Sequence, residues 1–246
     1  MRYKSVFISD IHLGTRGSKA NELLSFLKDI ECDNIFLVGD IFDGWRLKNG
    51  WYWPVEHSTV IQKLLRMSRK GTKLIYIPGN HDEFMRQFLE YNFGDIELHN
   101  ETIYESVSGK KYIVIHGDKF DLVTVNFKWL AHIGDWAYTA LININTGVHA
   151  IRSYFKLPYW SISKWAKHKV KEAVNFIGNY EQSLSHYAKL HKADGIICGH
   201  IHHANIASLD GVEYMNCGDW VESCTALVEH LNGKFEIIHY ENIDSN

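Results

Sequence analysis

Five short clusters of histidine, aspartate and asparagine occur along this sequence, each soon after a run of apolar residues. In chain order they are Asp10-Ile11-His12, Gly39-Asp40, Gly79-Asn80-His81-Asp82, His116-Gly117-Asp118 and Gly199-His200-Ile201-His202. Carboxylate, imidazole and amide groups are the side chains that hold pairs of divalent cations in hydrolytic sites. The clusters together therefore predict a two-metal site with hydrolytic chemistry.

Residue type and spacing suggest seven ligands. Asp10 and His12 are alternate residues at a strand end, so both can point to the same side. Asp40 follows the next strand, and its two carboxylate oxygens suit it to bridge two cations. The other ligands offer an amide oxygen or an imidazole nitrogen: Asn80, His116, His200 and His202. Taken alone, the Asp10 cluster could be a strand-end cap with a chance histidine, and the Asp40 cluster could be a helix cap. Five clusters in order favour a metal site.

The elements that carry these clusters follow from hydrophobic periodicity. Strand-length apolar runs at 3–9, 34–38 and 73–77 alternate with amphipathic helical stretches, of which the clearest is 55–69. Strands separated by single helices predict crossover connections and a largely parallel sheet. Open sheets of this kind bind ligands at the C-terminal ends of their strands, where the clusters fall.

The second half of the chain favours antiparallel pairing. Runs at 104–107 and 112–115 predict a hairpin, and Asp210-Gly211 and Asn232-Gly233 are strong hairpin signals among the short strands of the tail. We therefore predict an α/β fold in which two sheets pack face to face with helices outside, an αββα sandwich.

A segment at about 122–190 has apolar residues at helical spacing and no strand pattern, which predicts a helical cap inserted into one 246-residue domain. Between Lys119 and Lys192 there are ten basic and four acidic residues, whereas the rest of the chain is acidic overall. Lys164, Lys167 and Lys171 share one face of a predicted helix and could bind a diphosphate or be solvated.

Composition sets further bounds. The formal charge of -3 argues against a general nucleic-acid-binding surface. Four cysteines without a secretory signal predict reduced thiols and a cytoplasmic protein. Since no stretch has the roughly 18 apolar residues of a membrane span, we expect any contact with a membrane to be peripheral.

Taken in order, the clusters resemble those of the calcineurin-like metallophosphoesterase superfamily, from about residue 5 to about residue 220. The resemblance implies Asp10, His12, Asp40 and His202 around one metal, and Asp40, Asn80, His116 and His200 around the other. It implies two divalent cations, most commonly Mn²⁺, with Zn²⁺ or Fe as alternatives. It also implies that His81 acts on the scissile phosphate and that Asp82 orients its ring.

Three longer blocks, Asp10 to Arg16, Gly39 to Trp45 and Asn216 to Ser223, are similar to the UDP-2,3-diacylglucosamine pyrophosphatases of lipid A biosynthesis. This branch implies cleavage of a nucleotide-linked lipid to UMP and a lipid sugar phosphate, with Arg16 of the first block as a candidate substrate contact. His81 departs from the arginine of that branch, and the cap also differs.

The cap's aromatic residues and positive charge predict contact with acyl chains and with an anionic membrane surface, at the inner face of a bacterial inner membrane. Two alternatives remain at this stage. A nuclease or another phosphodiesterase could share the metal core, although the acidic main part of the chain disfavours nucleic acid. A non-catalytic scaffold of the same fold should have lost ligands, and none of the seven is missing.

Overall fold

The computed structural model describes residues 1–89, 91, 94–120, 177 and 179–240. Main-chain contacts divide the chain into two units, residues 1–117 with 181–246, and residues 118–180. Most of the predicted cap, including Lys164, Lys167 and Lys171, lies outside the described residues. Both sheets belong to the first unit.

The regular elements match most of the predicted runs. In chain order they are β1 (Arg2–Ile8), α1 (Ala20–Asp29), β2 (Glu31–Val38), α2 (Gly44–Asn49), α3 (Val55–Arg69), β3 (Lys73–Ile77), β4 (Ile96–Leu98), β5 (Thr102–Glu105), β6 (Lys111–Val114), α4 (residues 179–190), β7 (Gly195–Cys198), β8 (Asn205–Leu209), β9 (Val212–Asn216), β10 (Thr225–Glu229) and β11 (Phe235–His239). Two short 3₁₀ helices, Glu83–Phe88 and Asp118–Phe120, complete the description. None of the described helices is long and apolar enough to cross a bilayer.

The first sheet has six strands in the order β11-β10-β1-β2-β3-β4. Strands β1 to β4 are parallel, which confirms the predicted crossovers, and β10 and β11 add antiparallel pairs at the other edge. The three-residue strand β4 was not predicted, because so short a run has no readable alternation.

The second sheet has five strands in the order β5-β6-β7-β9-β8. The hairpins β5–β6 and β8–β9 are antiparallel as predicted. The tail is not antiparallel throughout, however, since β7 pairs in parallel with both β6 and β9. Parallel strands need long connections. The inserted segment connects β6 to β7, and the chain passes through β8 before it returns as β9.

The two sheets face each other across an apolar core. Phe7 stacks on Phe36 in the first sheet, with ring centroids 4.7 Å apart, and the edge of Tyr104 from the second sheet packs on both. The Tyr104 hydroxyl donates to the buried carboxylate of Glu229 and accepts a hydrogen bond from Ser5. This buried polar network joins the sheets, because Tyr104 lies on β5 and its partners lie on β10 and β1.

Helices cover the outside of the sheets. Leu23 and Leu27 of α1 and Val60 and Leu64 of α3 are buried in a core with the outer side chains of the first sheet. Helix α4 contacts the connection between β4 and β5, since the Tyr187 hydroxyl donates to Glu101 at 2.8 Å. The fold is thus the mixed α/β arrangement with two facing sheets that the sequence predicted.

Candidate metal centre

The predicted metal ligands lie beyond the C-terminal ends of parallel strands from both sheets. Because neighbouring parallel strands end at the same edge, the side chains that follow them are brought together. The placements are Asp10 and His12 after β1, Asp40 after β2, Asn80 after β3, His116 after β6, and His200 and His202 after β7.

One group of possible ligands consists of Asp10, His12 and His202, whose ligand atoms all lie within 4.8 Å of one another. His202 Nε2 is 3.2 Å from Asp10 Oδ1, and His12 Nε2 is 3.9 Å from the same oxygen. Asp10 and His12 are buried, whereas His202 lies at the surface. This group could hold one cation at the mouth of the site.

A second group consists of Asp40, His116 and His200, again with ligand atoms within 4.8 Å. His116 Nε2 is 3.4 Å from Asp40 Oδ2, and that oxygen is also 3.9 Å from His12 Nε2 of the first group. Asp40 therefore lies next to both groups, which is the position that a bridging carboxylate requires.

The donor set fits divalent cations. Asp10 Oδ1, His12 Nε2 and Asn80 Oδ1 are buried atoms that make no hydrogen bond to any part of the chain that the structure describes. Buried polar atoms are normally satisfied, so such atoms call for a ligand. Carboxylate, amide and imidazole donors in two adjoining groups are the combination that a pair of transition-metal ions prefers.

Charge in the site is balanced between acids and histidines. Burial opposes ionisation of Asp10 and Asp40, but nearby histidines outweigh it and lower the pKa of both carboxyls, chiefly His202 for Asp10 and His116 for Asp40. Partial desolvation of the His202 ring likewise opposes its protonation, yet the Asp10 carboxylate raises its pKa to about 9. The carboxylates of Asp10 and Asp40 thus favour a positively charged group in the space between them.

Most of the ligand residues have a left-handed backbone. The φ angles are +52° at Asp10, +51° at His12, +53° at Asp40, +73° at His200 and +51° at His202. This conformation is uncommon for residues other than glycine, asparagine and aspartate, and it is found where a fold imposes strain at a functional site. The strand ends are bent so that the side chains converge.

Close packing requires glycine beside the ligands. Gly39 has φ +81°, and a Cβ there would collide with the ring of His116. A Cβ on Gly79 would collide with the carboxylate of Asp40. The glycines of these two clusters therefore let the ligand side chains approach the backbone.

Asp82 does not orient the ring of His81, contrary to the role implied by the resemblance. Its carboxylate accepts hydrogen bonds from the backbone N–H groups of Gly79 at 2.6 Å and Ile41 at 2.8 Å, and from the Tyr76 hydroxyl. Asp82 is fully buried and turned toward the backbone, so its role is to hold the loops after β2 and β3 together.

Asp43 takes that place, and the sequence reasoning missed it. Its Oδ2 lies 3.2 Å from His81 Nδ1 and 3.4 Å from His12 Nδ1. Burial opposes protonation of His81, but the nearby Asp43 carboxylate, toward which the ring N–H can donate, outweighs it and raises the His81 pKa. The indole of Trp45 covers the His81 ring, with centroids 4.0 Å apart. The signal was present, since Asp43 lies three residues after Asp40.

Of the four predicted substrate contacts, only Arg16 lies within the described residues. Arg16 is exposed, and its guanidinium lies over the ring of Tyr52, 5.3 Å from the centroid. Arg16 follows the candidate ligand His12 by four residues, so it lies on the loop that borders the site. The three cap lysines lie outside the described residues.

Two facing sheets whose strand ends gather histidine and carboxylate ligands define a class of metal-dependent hydrolases. The family comparison is more specific, since residues 3–204 match the model of the calcineurin-like phosphoesterases. The chain belongs to this family, and it is a metal-dependent phosphoester hydrolase.

Curated relatives share a name. UDP-2,3-diacylglucosamine hydrolase of Histophilus somni (strain 129Pt) is 24% identical over 94% of this chain and 97% of its own length. The protein of that name from Porphyromonas gingivalis (strain ATCC BAA-308 / W83) is 30% identical, but the match covers 48% of this chain and 47% of that protein. Among solved structures, the phosphoesterase Yfce from E. coli aligns with 12% identity and a TM-score of 0.47, over 96% of this chain and 99% of that chain.

Proposed function

We propose that the chain hydrolyses the diphosphate of a UDP-linked diacylated glucosamine, releasing UMP and a lipid sugar phosphate in lipid A biosynthesis. One observation supports this choice of substrate: the relatives that align with more than nine tenths of the chain include proteins named UDP-2,3-diacylglucosamine hydrolase. The unbroken set of seven candidate ligands supports catalysis rather than a scaffold role.

We assign Asp10, His12, Asp40 and His202 to one cation, and Asp40, Asn80, His116 and His200 to the other, with Mn²⁺ as the metal. When bound, two such cations supply Lewis-acid activation of the phosphoryl group and of water. Asp40 would be shared between them, in keeping with the proximity of its Oδ2 to His12 and His116.

His81 would serve the phosphate rather than the metals. Its Nδ1 is 3.2 Å from Asp43, which leaves Nε2 as the nitrogen that can face the substrate. The Asp43 carboxylate raises the pKa of the ring, which favours its protonated form. The ring can then stabilise the phosphate charge or give a proton to the departing phosphate oxygen.

Substrate selection would come from Arg16 and from the cap at about 122–190, where Lys164, Lys167 and Lys171 would bind the diphosphate. The cap's aromatic residues would receive the acyl chains. This assignment places the protein in the cytoplasm, peripherally at the inner face of a bacterial inner membrane.

A paired turnover assay tests the proposal. The Mn²⁺-loaded protein should hydrolyse both UDP-2,3-diacylglucosamine and bis-p-nitrophenyl phosphate, and Asp40→Ala should lose both activities and bound metal. Asp33→Ala, at a surface carboxylate, is the matched control. Hydrolysis of the small diester alone would reject the lipid substrate, whereas an Asp40→Ala variant with both metals and full activity would reject the ligand assignment.

A further inference from the structure

The loop between α2 and α3 exposes a group of large apolar side chains. Trp51 is 77% exposed, Val55 is 73% exposed and Tyr52 is 37% exposed. Single exposed apolar residues are ordinary, but a neighbouring set that includes tryptophan and tyrosine is typical of an interaction surface. We call residues 51–55 the Trp51 loop.

The Trp51 loop is held outward by packing beneath it. Trp53, which is partly buried, stacks on Trp51 with centroids 5.8 Å apart and on Phe42 with centroids 6.1 Å apart. The Trp53 indole N–H donates to Ser58 Oγ at 2.9 Å. These contacts support Trp51 from below while leaving its outer face in water.

The loop borders the candidate metal centre. Tyr52 packs edge-on against His57, whose Nδ1 accepts a hydrogen bond from the backbone N–H of Gly14 at 3.0 Å. Gly14 lies two residues after the ligand His12. Since the Arg16 guanidinium also lies over Tyr52, the Trp51 loop is joined directly to the loop that follows β1.

Two chain segments next to this loop carry charge of one sign. Residues 13–19 and 44–55 contain four basic and no acidic side chains, and all four are exposed: Arg16, Lys19, Arg46 and Lys48. The flanking acids are withdrawn, since Asp43 is buried and Glu56 is partly buried. Exposed aromatic residues close to basic side chains are typical of a surface that binds an anionic lipid interface.

We propose that the Trp51 loop docks the protein onto an anionic phospholipid bilayer, with Trp51 and Val55 entering the interface and Lys48 and Arg16 meeting the headgroups. The choice of partner rests on the proposed function, because a diacylated substrate resides in a bilayer. Docking through this loop would bring the loop after β1, and the metal centre with it, to the membrane surface.

Vesicle binding tests the docking surface without reference to turnover. The full chain should co-sediment with vesicles containing phosphatidylglycerol, and less with vesicles of phosphatidylcholine alone. Trp51→Ser/Val55→Ser should weaken binding by about 10- to 100-fold, the change expected when large apolar side chains no longer enter an apolar phase. Lys48→Ala should weaken binding to the anionic vesicles by about fivefold.

The matched control is Val107→Ser/Leu231→Ser, which removes two exposed apolar side chains from turns at the ends of other strands. This variant should bind vesicles like the wild type, and all variants should hydrolyse bis-p-nitrophenyl phosphate normally. The proposal is overturned if the wild type does not bind anionic vesicles, or if both double variants bind equally. Vesicle binding without hydrolysis of UDP-2,3-diacylglucosamine would reject the substrate and keep the docking surface.

Discussion

Two buried aspartates beside the candidate ligands, Asp82 and Asp43, make different kinds of contact. Asp82 accepts hydrogen bonds from the backbone N–H groups of Gly79 and Ile41. It therefore links the loops after β3 and β2, which carry Asn80 and Asp40. Asp43 instead faces the imidazoles of His12 and His81. A carboxylate that orients an imidazole sets which ring nitrogen carries the proton and which faces the reactants.

Replacing Asp43 should therefore impair chemistry more than folding. We expect Asp43→Asn to lower kcat for bis-p-nitrophenyl phosphate by about 10- to 100-fold, the usual effect of losing a carboxylate that supports a histidine. Asp43 Oδ1 accepts a hydrogen bond from the backbone N–H of Arg46 at the N-terminus of α2. The asparagine amide keeps an oxygen for this bond, so helix α2 should survive the change. Steady-state kinetics across pH and thermal unfolding measure the two effects.

The contrasting variant is Asp82→Asn, which turns an amide N–H₂ group toward backbone donors. Its main effect should be a loss of about 1 to 3 kcal/mol in the free energy of unfolding. If Asp43→Asn kept full kcat and an unchanged pH profile, Asp43 would have no positioning role.

Among the elements, the ends of β1, β7 and β9 are joined by one buried amide. Asn216, at the end of β9, donates to the carbonyl of Gly199 at 2.8 Å and accepts from the N–H of Gly218 at 2.9 Å. The Gly218 carbonyl in turn accepts from the hydroxyl of Ser9 at 2.8 Å, next to the candidate ligand Asp10. Asn216 thus connects the loops that carry Asp10 and the histidine pair.

We expect Asn216→Ala to weaken metal binding by about 10- to 100-fold, because the loop carrying His200 and His202 loses its anchor. Isothermal titration with Mn²⁺ measures the affinity. Asn205→Ala, which removes a surface amide bonded to Glu181, is the control and should bind metal normally. Equal affinities in the two variants would show that the loop holds its position without Asn216.

For the molecule as a whole, acid sensitivity should depend partly on His57. This side chain is 2% exposed and packs against Trp53, and its Nδ1 accepts the Gly14 N–H, which requires a neutral ring on that side. Burial lowers the pKa of His57 below its usual 6.5. The unfolded chain therefore binds more protons, so the stability contribution is present above about pH 6.5 and is lost as the pH falls through the folded-state pKa.

A comparison of His57→Gln with the wild type isolates this effect, since the other histidines titrate in both proteins. Gln offers an oxygen to the Gly14 N–H without titrating. The wild type should lose more stability than the variant between pH 7.5 and pH 5, roughly the range around an ordinary histidine pKa. Urea unfolding at both pH values provides the measurement, and parallel losses would contradict the prediction.

Local pattern determined much of this protein. The uninterrupted apolar run Val6-Phe7-Ile8 predicted a strand, which the structure buries on both faces, and Asp210-Gly211 marked a hairpin that the structure contains. Strand ends could be read directly, so the convergence of Asp10 and Asp40 followed from the rule that neighbouring parallel strands end at a common edge.

Tertiary structure decided what depends on partners distant in sequence. The parallel direction of β7 is set by β6 and β9, which no local pattern encodes. Asp43 faces His81, as Asp82 was expected to do. Both residues lie in loops after parallel strands, so only the direction of each carboxylate in the folded chain distinguishes them. The left-handed backbone at Asp10 and His202 is likewise imposed by packing around the site. Sequence determined which groups meet, because period and strand ends are local; tertiary contacts decided their orientation, because orientation depends on neighbours that only the folded chain brings near.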